Sequence, residues 1–508
     1  MVLDLGLDRA TEHSHLLGLR GGAFQQSQQP VSMNFNVIVG EDQQFSIACA
    51  NATVARRVEA ITGAFTYVAG AVRFGDRPRG DFRPVVNDDH LDAKRRGLWR
   101  DRGQRAIEVM RAPTGRDDDC GWRQHGRLTL AWPGVVILLI HNQYRTLGGE
   151  ERVVDDLSRL IPEYLGEEVE LLERHSSAFS GGKAALALAC GGLEPAEVAD
   201  AVARTGARVV HGHNLLPAFG WRALAAARNA GARTVLSLHQ YRLVCAAGTC
   251  LDSAGNDCTR CHGRDTRPGV RLNCRGGSRA EAAVYAGSLS AWSARMVAEA
   301  DVLLVANQTT LNRLNELGAP IEGARVEVIP YPVAAATQYA APASGEYAIC
   351  SARLSADKGV DVAIDACARA GRPLVLTGQG PDEAALRAQA ARLGSSVTFA
   401  GRVPDDELAR LRAGAALALV PSRFAETFGL SAAEAMAAAL PVAATSAGAL
   451  VELLPAEDLS VPGSVESLTA SIEKLWGDEG RGAANAKRIE EIASPAVVAA
   501  KLAAVYDG

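Results

Sequence analysis

The stretch Pro421-Ser-Arg-Phe-Ala-Glu-Thr-Phe-Gly-Leu-Ser-Ala-Ala-Glu-Ala-Met436 places Glu426 and Glu434 with seven residues between them. The apolar run before it predicts a buried strand, and the alanine-rich residues from Leu430 onward predict a helix. Gly429 lies at the boundary, so the first carboxylate falls on a loop and the second lies one turn inside the helix. The N–H groups of a helix start attract phosphate, and carboxylates accept hydrogen bonds from sugar hydroxyls. This layout is suited to binding a sugar nucleotide.

Farther upstream, Ser351-Ala-Arg-Leu354 is followed by Asp357-Lys-Gly359. Together with the glutamate segment, these residues resemble the phosphate-binding segment and the E-x7-E signature of the retaining glycosyltransferases of family 4. The segments Leu376-Thr-Gly-Gln-Gly-Pro381 and Val397-Thr-Phe-Ala-Gly-Arg-Val403 lie between them in the order typical of the family. The resemblance covers about residues 135 to 508.

The resemblance implies an α/β fold of two doubly wound Rossmann-like domains that face each other across a cleft, the GT-B arrangement. The hydrophobic pattern agrees, because strands are predicted to alternate with helices on both sides of the link Pro330-Tyr-Pro332. By the resemblance, residues 135–332 bind the acceptor, residues 333–508 bind the nucleotide sugar, and the last helix crosses back onto the first domain. The predicted strands of the first series are residues 135–140, 169–172, 209–211, 234–238, 302–306 and 326–329.

The activity implied by the resemblance is retaining, hexosyltransferase-like transfer of a sugar from a nucleotide-sugar donor to a glycan, lipid-linked or small-molecule acceptor. No cofactor is expected to be required for catalysis. Cleavage of the sugar–phosphate bond leaves negative charge on the diphosphate, which Arg353 and Lys358 can stabilise. The implied catalytic residues are His239, Arg353, Lys358 and Glu426. The implied donor-binding residues are Gly149, Gly378, Phe428, Gly429, Leu430 and Glu434, and Gly148 and His213 are assigned to acceptor binding.

Histidines follow two predicted strands of the first series. His211-Gly-His213 ends one strand, and His239 ends the next. A His-x-His pair can ligate a metal, and a histidine at a strand end can also be only a hydrogen-bonded cap. The resemblance favours His239 as the residue that faces the transferred sugar, although Gln240 stands where the family commonly has Asp.

Gly148-Gly149 follows the first predicted strand and precedes a helix predicted to begin at Glu150. Because glycine has no Cβ, such a loop lets a diphosphate or an acceptor approach the backbone closely. Its position also matches the family's acceptor and phosphate loop. Glu150 and Glu151 are favourable at the positive end of a helix dipole, but their charges would oppose a nearby phosphate.

Five of the ten cysteines lie between Cys245 and Cys274, and Cys258-Thr-Arg-Cys261 forms a C-x2-C pair. Two thiolates in such a turn can share one metal, and two outer cysteines can complete a tetrahedral zinc site. The alternatives are a structural zinc bound by Cys245, Cys258, Cys261 and Cys274, or four free thiols. In either case residues 245–278 are predicted to be an insert that borders the cleft.

Residues 1–134 lack a sustained alternation of strands and helices, and only residues 36–39 and 45–48 indicate short strands. We expect an extension without catalytic function, or a true start near Val135. Asp117-Asp-Asp119 could indicate a metal-dependent transferase of the other major fold, but it lies in this extension.

Composition excludes two other classes of protein. The formal net charge of −5 gives no indication of nucleic-acid binding, and the longest apolar run, residues 128–140, is interrupted by Pro133-Gly134. A cytoplasmic protein is expected, with at most peripheral contact at the inner membrane face.

Two other functions use the same cleft. A GT-B-shaped nucleotide-sugar 2-epimerase is one, although its acid/base residues are not apparent in matching context. A catalytically silent nucleotide-sugar-binding protein is the other, although it would tolerate loss of Arg353, Lys358 or Glu434, and all three are present.

Overall fold

The computed structural model describes residues 136–144, 148–252, 255–275 and 278–508, together with six strand segments between residues 32 and 130. The chain divides into two compact units, Met1–Gly134 and Val135–Gly508. Asp117, Asp118 and Asp119 lie outside the described residues.

The first unit contains a six-stranded sheet in the order β3-β1-β2-β4-β5-β6. Neighbouring strands are antiparallel except for β2 and β4. The sequence pattern indicated only the first two strands. The bounds are Ser32–Ile38 (β1), Gln44–Ala50 (β2), Val72–Arg73 (β3), Phe82–Pro84 (β4), Arg105–Arg111 (β5) and Arg123–Leu130 (β6).

The second unit begins with a parallel sheet in the order β12-β11-β10-β9-β7-β8. All six predicted strands are present, and their bounds are Val136–Gln143 (β7), Glu168–His175 (β8), Val209–Gly212 (β9), Arg233–Ser237 (β10), Val302–Val305 (β11) and Val326–Val328 (β12). The α-helices of this part are Gly149–Leu160 (α1), Gly181–Cys190 (α2), Pro195–Thr205 (α3), Gly220–Asn229 (α4), Arg267–Arg271 (α5), Arg279–Ala298 (α6) and Gln308–Glu316 (α7). A π-helical turn, Ile161–Leu165, and a 3-10 turn, Ser176–Ala178, complete it.

A second parallel sheet follows the link, in the order β15-β14-β13-β16-β17-β18. Its strands are Tyr347–Ser351 (β13), Leu374–Thr377 (β14), Val397–Gly401 (β15), Ala415–Val420 (β16), Val442–Thr445 (β17) and Leu459–Ser460 (β18). Its α-helices are Val360–Ala370 (α8), Glu383–Leu393 (α9), Asp405–Ala413 (α10), Leu430–Ala437 (α11), Leu450–Leu453 (α12), Val465–Leu475 (α13), Glu479–Ala493 (α14) and Pro495–Asp507 (α15). The 3-10 turns are Pro342–Ser344, Ala356–Lys358 and Ala456–Asp458.

The uninterrupted apolar run in β7 is explained by burial on both faces of the sheet. Leu138 and Ile140 belong to one core cluster, and Ile137 and Leu139 belong to another on the opposite face. Successive side chains of a strand point to opposite faces, so helices must cover both sides. Each fully buried side chain of this type contributes about 1.5–3 kcal/mol through the hydrophobic effect.

The last helix, α15, packs on the sheet formed by β7–β12, the first sheet of the second unit, although in the chain it follows the sheet formed by β13–β18. Leu502, Val505 and Tyr506 share a buried cluster with Ile137 and Leu139. The Tyr506 hydroxyl also lies 2.8 Å from His211 Nδ1. The end of the chain therefore joins the two sheets of this unit.

In the part of the chain that the structure describes, none of the helices combines the length and the apolar character that a membrane crossing requires.

Candidate active site

The two sheets of the second unit place polar residues where their strand order reverses. In the second sheet this point lies between β13 and β16, and in the first sheet it lies between β7 and β9. Loops that leave adjacent strands in opposite directions open a crevice at such a point, and ligands of open parallel sheets bind there. Arg353 and Lys358 follow β13, and Glu426 follows β16.

Lys358 and Glu426 meet directly across the crevice of the second sheet. Lys358 Nζ lies 2.7 Å from Glu426 Oε1, and the Ser422 hydroxyl donates to the same oxygen at 2.6 Å. Gly359 has a φ of 63°, and a Cβ there would stand 2.0 Å from the Pro421 carbonyl oxygen. The two loops can therefore approach closely enough to form this ion pair because residue 359 is glycine.

Arg353 lies on the same loop but has another partner. Its guanidinium is 3.2 Å from the Asp357 carboxylate and its Nε donates to the Ser355 hydroxyl at 3.0 Å. The Arg353 side chain is 53% exposed. To bind Arg353, a phosphate would have to compete with Asp357 for the guanidinium. To bind Lys358, it would have to draw the ammonium away from Glu426.

Helix α11 begins with the predicted glycine in a conformation that other residues rarely adopt. Gly429 has a φ of 88°, and a Cβ on it would stand 2.7 Å from Leu450 Cδ2. Phe428 is buried and packs edge to face against Tyr331 at 5.1 Å between ring centroids. Since the Phe428 side chain faces the core, its backbone N–H is the part that remains suited to a phosphate.

Glu434 lies one turn into α11, as expected, and is held by two arginines. Its carboxylate forms an ion pair with Arg412, and Arg152 Nη2 lies 3.9 Å from it. Arg152 comes from α1 of the first sheet and also donates to Asp405 at 3.0 Å. These contacts connect α11 and α10 to α1 on the other side of the cleft.

The glycine loop after β7 reaches the start of α11. A Cβ on Gly149 would lie 3.1 Å from Leu430 Cδ1, so a larger residue would press on the other domain. Gly148 is exposed beside it. Gly149 therefore lies at the contact between the loop after β7 and the start of α11.

Glu150 and Glu151, which follow this loop, differ in their hydrogen bonds and in their protonation. Glu151 accepts hydrogen bonds from the backbone N–H groups of Tyr144 at 3.0 Å and Gly148 at 2.7 Å. Burial raises the pKa of Glu150 to about 7, against the opposing effect of the nearby Arg242 charge. Glu150 is therefore largely neutral below about pH 7, and Glu151 is occupied in capping the loop. This reduces the repulsion of phosphate that the sequence suggested.

His239 and His213 form a buried hydrogen-bonded chain with the link residue Tyr331. His213 Nδ1 is 2.9 Å from His239 Nε2, and His239 Nδ1 is 2.7 Å from the Tyr331 hydroxyl. Burial lowers the pKa of His239 to about 3 and that of His213 well below its usual value. Both imidazoles are therefore neutral at physiological pH. They can donate or accept hydrogen bonds but carry no charge for a phosphate.

His211 has a different environment from His213. Its ring nitrogens lie 2.8 Å from the Tyr506 hydroxyl and 2.8 Å from the Ser237 hydroxyl, so both are occupied. His213 Nε2, by contrast, is buried without a hydrogen-bond partner among the described residues. Of the two histidines in His-x-His, His213 has a free ring nitrogen to offer a ligand, whereas His211 fastens the last helix.

Several contacts across the cleft involve residues to which the sequence assigned no function. The Thr427 hydroxyl donates to the His239 carbonyl at 2.8 Å, and the Thr310 hydroxyl donates to the Thr427 carbonyl at 3.2 Å. Glu452 accepts from the Gln308 backbone N–H at 3.3 Å at the start of α7. Thr427 could have been suspected because it lies between the two motif glutamates, but no sequence pattern indicated which residues it contacts.

Gly378 has a structural explanation that needs no ligand. Its φ is 118°, and a Cβ there would stand 2.0 Å from the Ala352 carbonyl oxygen. Its N–H donates to the Gly401 carbonyl at 2.7 Å. The tight backbone contact between neighbouring loops therefore requires glycine at this position.

The four expected zinc ligands, Cys245, Cys258, Cys261 and Cys274, line a single cavity and are free thiols. Cys250, the fifth cysteine of the insert, was not among the expected ligands and lines the cavity as well. A hydrogen bond from the Cys250 thiol lowers the pKa of Cys245 to about 6, with help from backbone N–H groups nearby.

Comparison with known proteins agrees with this geometry. Residues 345–478 match the family described as Glycosyl transferases group 1. A segment of 143 residues is 37% identical to an MMP alpha-(1->4)-mannosyltransferase of Mycolicibacterium hassiacum, covering 25% of this chain and 32% of that protein. A segment of 191 residues is 34% identical to an exopolysaccharide phosphotransferase of Streptomyces coelicolor, covering 35% of this chain and 20% of that protein. The chain thus matches about a third of the length of the mannosyltransferase and about a fifth of the length of the phosphotransferase.

Solved structures resemble the second unit as a whole. A sucrose-phosphate synthase from Thermosynechococcus elongatus has a TM-score of 0.53 at 19% identity, covering 73% of this chain and 98% of its own. A glycosyltransferase from Rickettsia africae has a TM-score of 0.54 at 14% identity, covering 74% and 98%. Anabaena HepE in complex with UDP and glucose has a TM-score of 0.50 at 17% identity, covering 73% and 99%.

These findings confirm the GT-B fold and the resemblance to glycosyltransferases. Residues 345–478, the segment that matches the Glycosyl transferases group 1 family, contain all six strands of the sheet β13–β18, and the two parallel sheets together have the GT-B architecture.

Proposed function

We propose that this protein is a retaining glycosyltransferase of the family 4 type, which moves a hexose from a nucleotide-sugar donor to a glycan, lipid-linked or small-molecule acceptor. The observation that carries the proposal is the Lys358–Glu426 pair at 2.7 Å, at the strand-order reversal of the group 1 domain. It combines a cation for phosphate with a buried carboxylate for sugar hydroxyls. The E-x7-E spacing supports the retaining outcome by resemblance.

In the proposed donor complex the second sheet binds the nucleotide sugar. The diphosphate would lie at the start of α11, near the backbone N–H groups of Gly429 and Leu430, and would draw Lys358 away from Glu426. The freed Glu426 carboxylate would accept hydrogen bonds from the sugar. Glu434 would accept them from the ribose, within reach of Arg152 and Arg412.

The reaction that we propose exchanges one bond at the anomeric carbon for another on the same face. The bond from this carbon to the phosphate oxygen breaks, the acceptor oxygen forms a new bond to it, and the leaving phosphate takes the acceptor proton. Lys358 and Arg353 stabilise the charge that develops on the leaving group. The chemistry uses side chains of this chain and needs no cofactor.

On the acceptor side we assign His213, through its Nε2, which has no partner among the described residues, to hydrogen bonding with the acceptor. We assign His239 to the sugar, for which it would exchange its present ring contact with His213 or Tyr331. Their neutral state supports this role, because a neutral ring can donate to a hydroxyl without attracting the phosphate away from Lys358. Gly148 and Gly149 would bring the acceptor and donor close, since Gly149 lies against Leu430 and Gly148 precedes it. We assign the protein to the cytoplasm, with peripheral contact at the inner membrane face if the acceptor is lipid-linked.

The proposal is tested by incubating the purified protein with labelled nucleotide sugars and an acceptor library. Transfer with retained anomeric configuration, measured by NMR on the product, is the expected result. Inversion at C2 of the donor would indicate an epimerase, and binding without turnover would indicate a silent binding protein. Inverted configuration at the anomeric carbon would contradict the retaining mechanism alone.

A further inference from the structure

A small cavity in the insert after β10 is lined by five cysteines, Cys245, Cys250, Cys258, Cys261 and Cys274. Its volume is about 10 Å³, and the rest of its lining is mainly apolar. A space of this size holds about one water molecule, which would need several polar partners. Thiols meet the needs of a soft metal ion far better than those of a water molecule.

The backbone holds these cysteines together from distant positions. The Cys258 N–H donates to the Cys250 carbonyl at 2.8 Å, and the Cys274 N–H donates to the Gly269 carbonyl at 3.0 Å. Gly269 faces the same cavity, and a Cβ on it would stand 2.8 Å from Ala246 Cβ and 3.7 Å from Cys261 Sγ. A glycine at this crowded point lets the short helix α5 come close to the thiols.

The described residues between β10 and α5, 241–252 and 255–266, contain no helix and only isolated bridges, Leu251 to Asp257 and His262 to Asp265. Their tertiary contacts include the Arg313–Asp257 ion pair and the hydrogen bond from the Gly263 N–H to the Leu317 carbonyl. Among the non-glycine residues of the insert, Cys250 has a φ of 54°, and Asn273 beside Cys274 has a φ of 48°. Side chains at such angles cost free energy that other contacts must offset. A metal ion bound to both ends of the loop would supply that stabilisation.

We infer that the insert binds one structural zinc ion through Cys245, Cys258, Cys261 and Cys274. Four thiolates around zinc form a closed tetrahedral site with Zn–S distances of about 2.3 Å, and the C-x2-C turn supplies two of them. Cys250 is placed as a neighbour of Cys245 rather than as a ligand. The assignment does not depend on the proposed transferase activity.

Binding requires the thiols to turn toward the cavity. In the described part of the chain no three Cys, His, Asp or Glu side chains already converge as metal ligands. Rotation about the Cα–Cβ bond of a cysteine moves its sulfur without breaking backbone hydrogen bonds, so zinc binding would require these side chains to adopt other rotamers. Zinc then displaces the thiol protons, and each bound cysteine becomes a thiolate.

The site also borders the candidate active site. The Cys245 N–H donates to the Tyr241 carbonyl at 2.8 Å, in the turn that begins directly after His239 and Gln240. Arg242 in the same turn donates to the Tyr144 hydroxyl at 2.7 Å. A zinc ion at Cys245 would therefore position the turn that carries Arg242.

The test is a metal count on the full-length protein, expressed in zinc-supplemented medium and purified under reducing conditions without chelators. We expect inductively coupled plasma mass spectrometry to find about one zinc per chain. This zinc should be released when an organomercurial titrates the thiols. The double variant C258S/C261S should lose the metal. The matched control C190S changes an exposed cysteine outside the cavity and should retain it. C250S should also retain it.

Two further results keep the assignment testable if the double variant does not fold. Replacement of the metal by Co²⁺ in the wild-type protein should produce thiolate-to-cobalt charge-transfer bands and the d–d bands of tetrahedral coordination. Metal-free protein whose cavity thiols all react freely would overturn the assignment. So would a disulfide between Cys245 and Cys250 in the protein as isolated from cells, or loss of zinc from C250S at the level of the double variant.

Discussion

The two sheets of the second unit solve the problem of binding polar ligands in different ways. The second sheet brings opposite charges together, Lys358 with Glu426 and Glu434 with Arg412. The first sheet brings together neutral rings, His213, His239 and Tyr331, whose burial suppresses their charge. The difference indicates that one side of the cleft is suited to a charged donor and the other to hydroxyl groups.

The difference also explains which half is recognisable from sequence. Charged residues must be spaced along one loop to reach a phosphate, so their spacing is visible as a motif. Neutral hydrogen-bonded rings come from separate strands and from the link, and their partners depend on tertiary contacts. The family match accordingly falls on residues 345–478.

The largest effect is expected from removing the charge nearest the leaving group. Lys358→Ala should lower turnover by about 2.7–4 kcal/mol in transition-state stabilisation, while nucleoside diphosphate binding weakens far less. Steady-state kinetics and calorimetry measure the two quantities. Lys487→Ala, at an exposed lysine in α14, is the matched control. Equal losses in binding and turnover would mean that Lys358 only anchors the ground state.

Arg353 tests whether the geometry of the charge matters as well as its sign. We expect the Arg353→Lys variant to retain only part of the wild-type rate, because a point charge cannot reproduce the forked donors of a guanidinium. The effect should be smaller than that of Lys358→Ala, since Arg353 is exposed and already paired with Asp357. A wild-type rate in the Arg353→Lys variant would show that only the positive charge at this position is needed.

The second carboxylate tests the donor side independently. Glu434→Gln should weaken donor binding by roughly 1.5–3 kcal/mol, because a charge-assisted acceptor becomes a neutral amide. The same change leaves Arg412 and Arg152 without their carboxylate, so unfolding should be measured in parallel. Reduced stability with unchanged donor affinity would assign Glu434 to domain contact alone.

A titration test applies to the first sheet. The folded pKa of Glu150, about 7, lies above its usual value of 4.5, so the folded state holds the proton more tightly than the unfolded state. Stability is therefore expected to fall as pH rises from about 4.5 to about 7. Glu150→Gln removes this penalty and should stabilise the protein at pH 8 by about 3 kcal/mol, with the difference vanishing below about pH 4.5. Denaturant unfolding at both pH values measures it, and a gain that is the same at both would contradict this origin.

The smallest effect is expected from removing the first unit. Deletion of residues 1–130 should leave turnover unchanged, because residues 1–134 form a separate compact unit and the family match lies elsewhere. The strand Val136–Gln143 must be kept, since it pairs with strands on both sides. A folded truncation that has lost activity would show that the first unit contributes to the reaction.

The sequence by itself determined the architecture of the second unit and one side of its cleft. Apolar runs of strand length, separated by helical stretches, predicted all six strands of the first sheet, because burial on both faces leaves an uninterrupted pattern. Local motif spacing also placed Arg353, Lys358 and Glu426 on neighbouring loops. In the first unit the pattern indicated two strands of the six that the structure describes. The others include β5 and β6, of seven and eight residues, in which charged residues interrupt the apolar run.

Only the tertiary structure decided which partners these residues have and which charges they carry. Thr427 contacts His239, and hydrogen bonds connect Tyr331, His239 and His213, although these residues are far apart in the chain. The raised pKa of Glu150 likewise depends on burial and on the distant Arg242. The sequence grouped five cysteines in the insert, but only the folded loop shows that all five, Cys250 included, line one cavity. The physical reason is that hydrogen-bond partners and desolvation depend on distances in space, whereas periodicity and motif spacing record only neighbours along the chain.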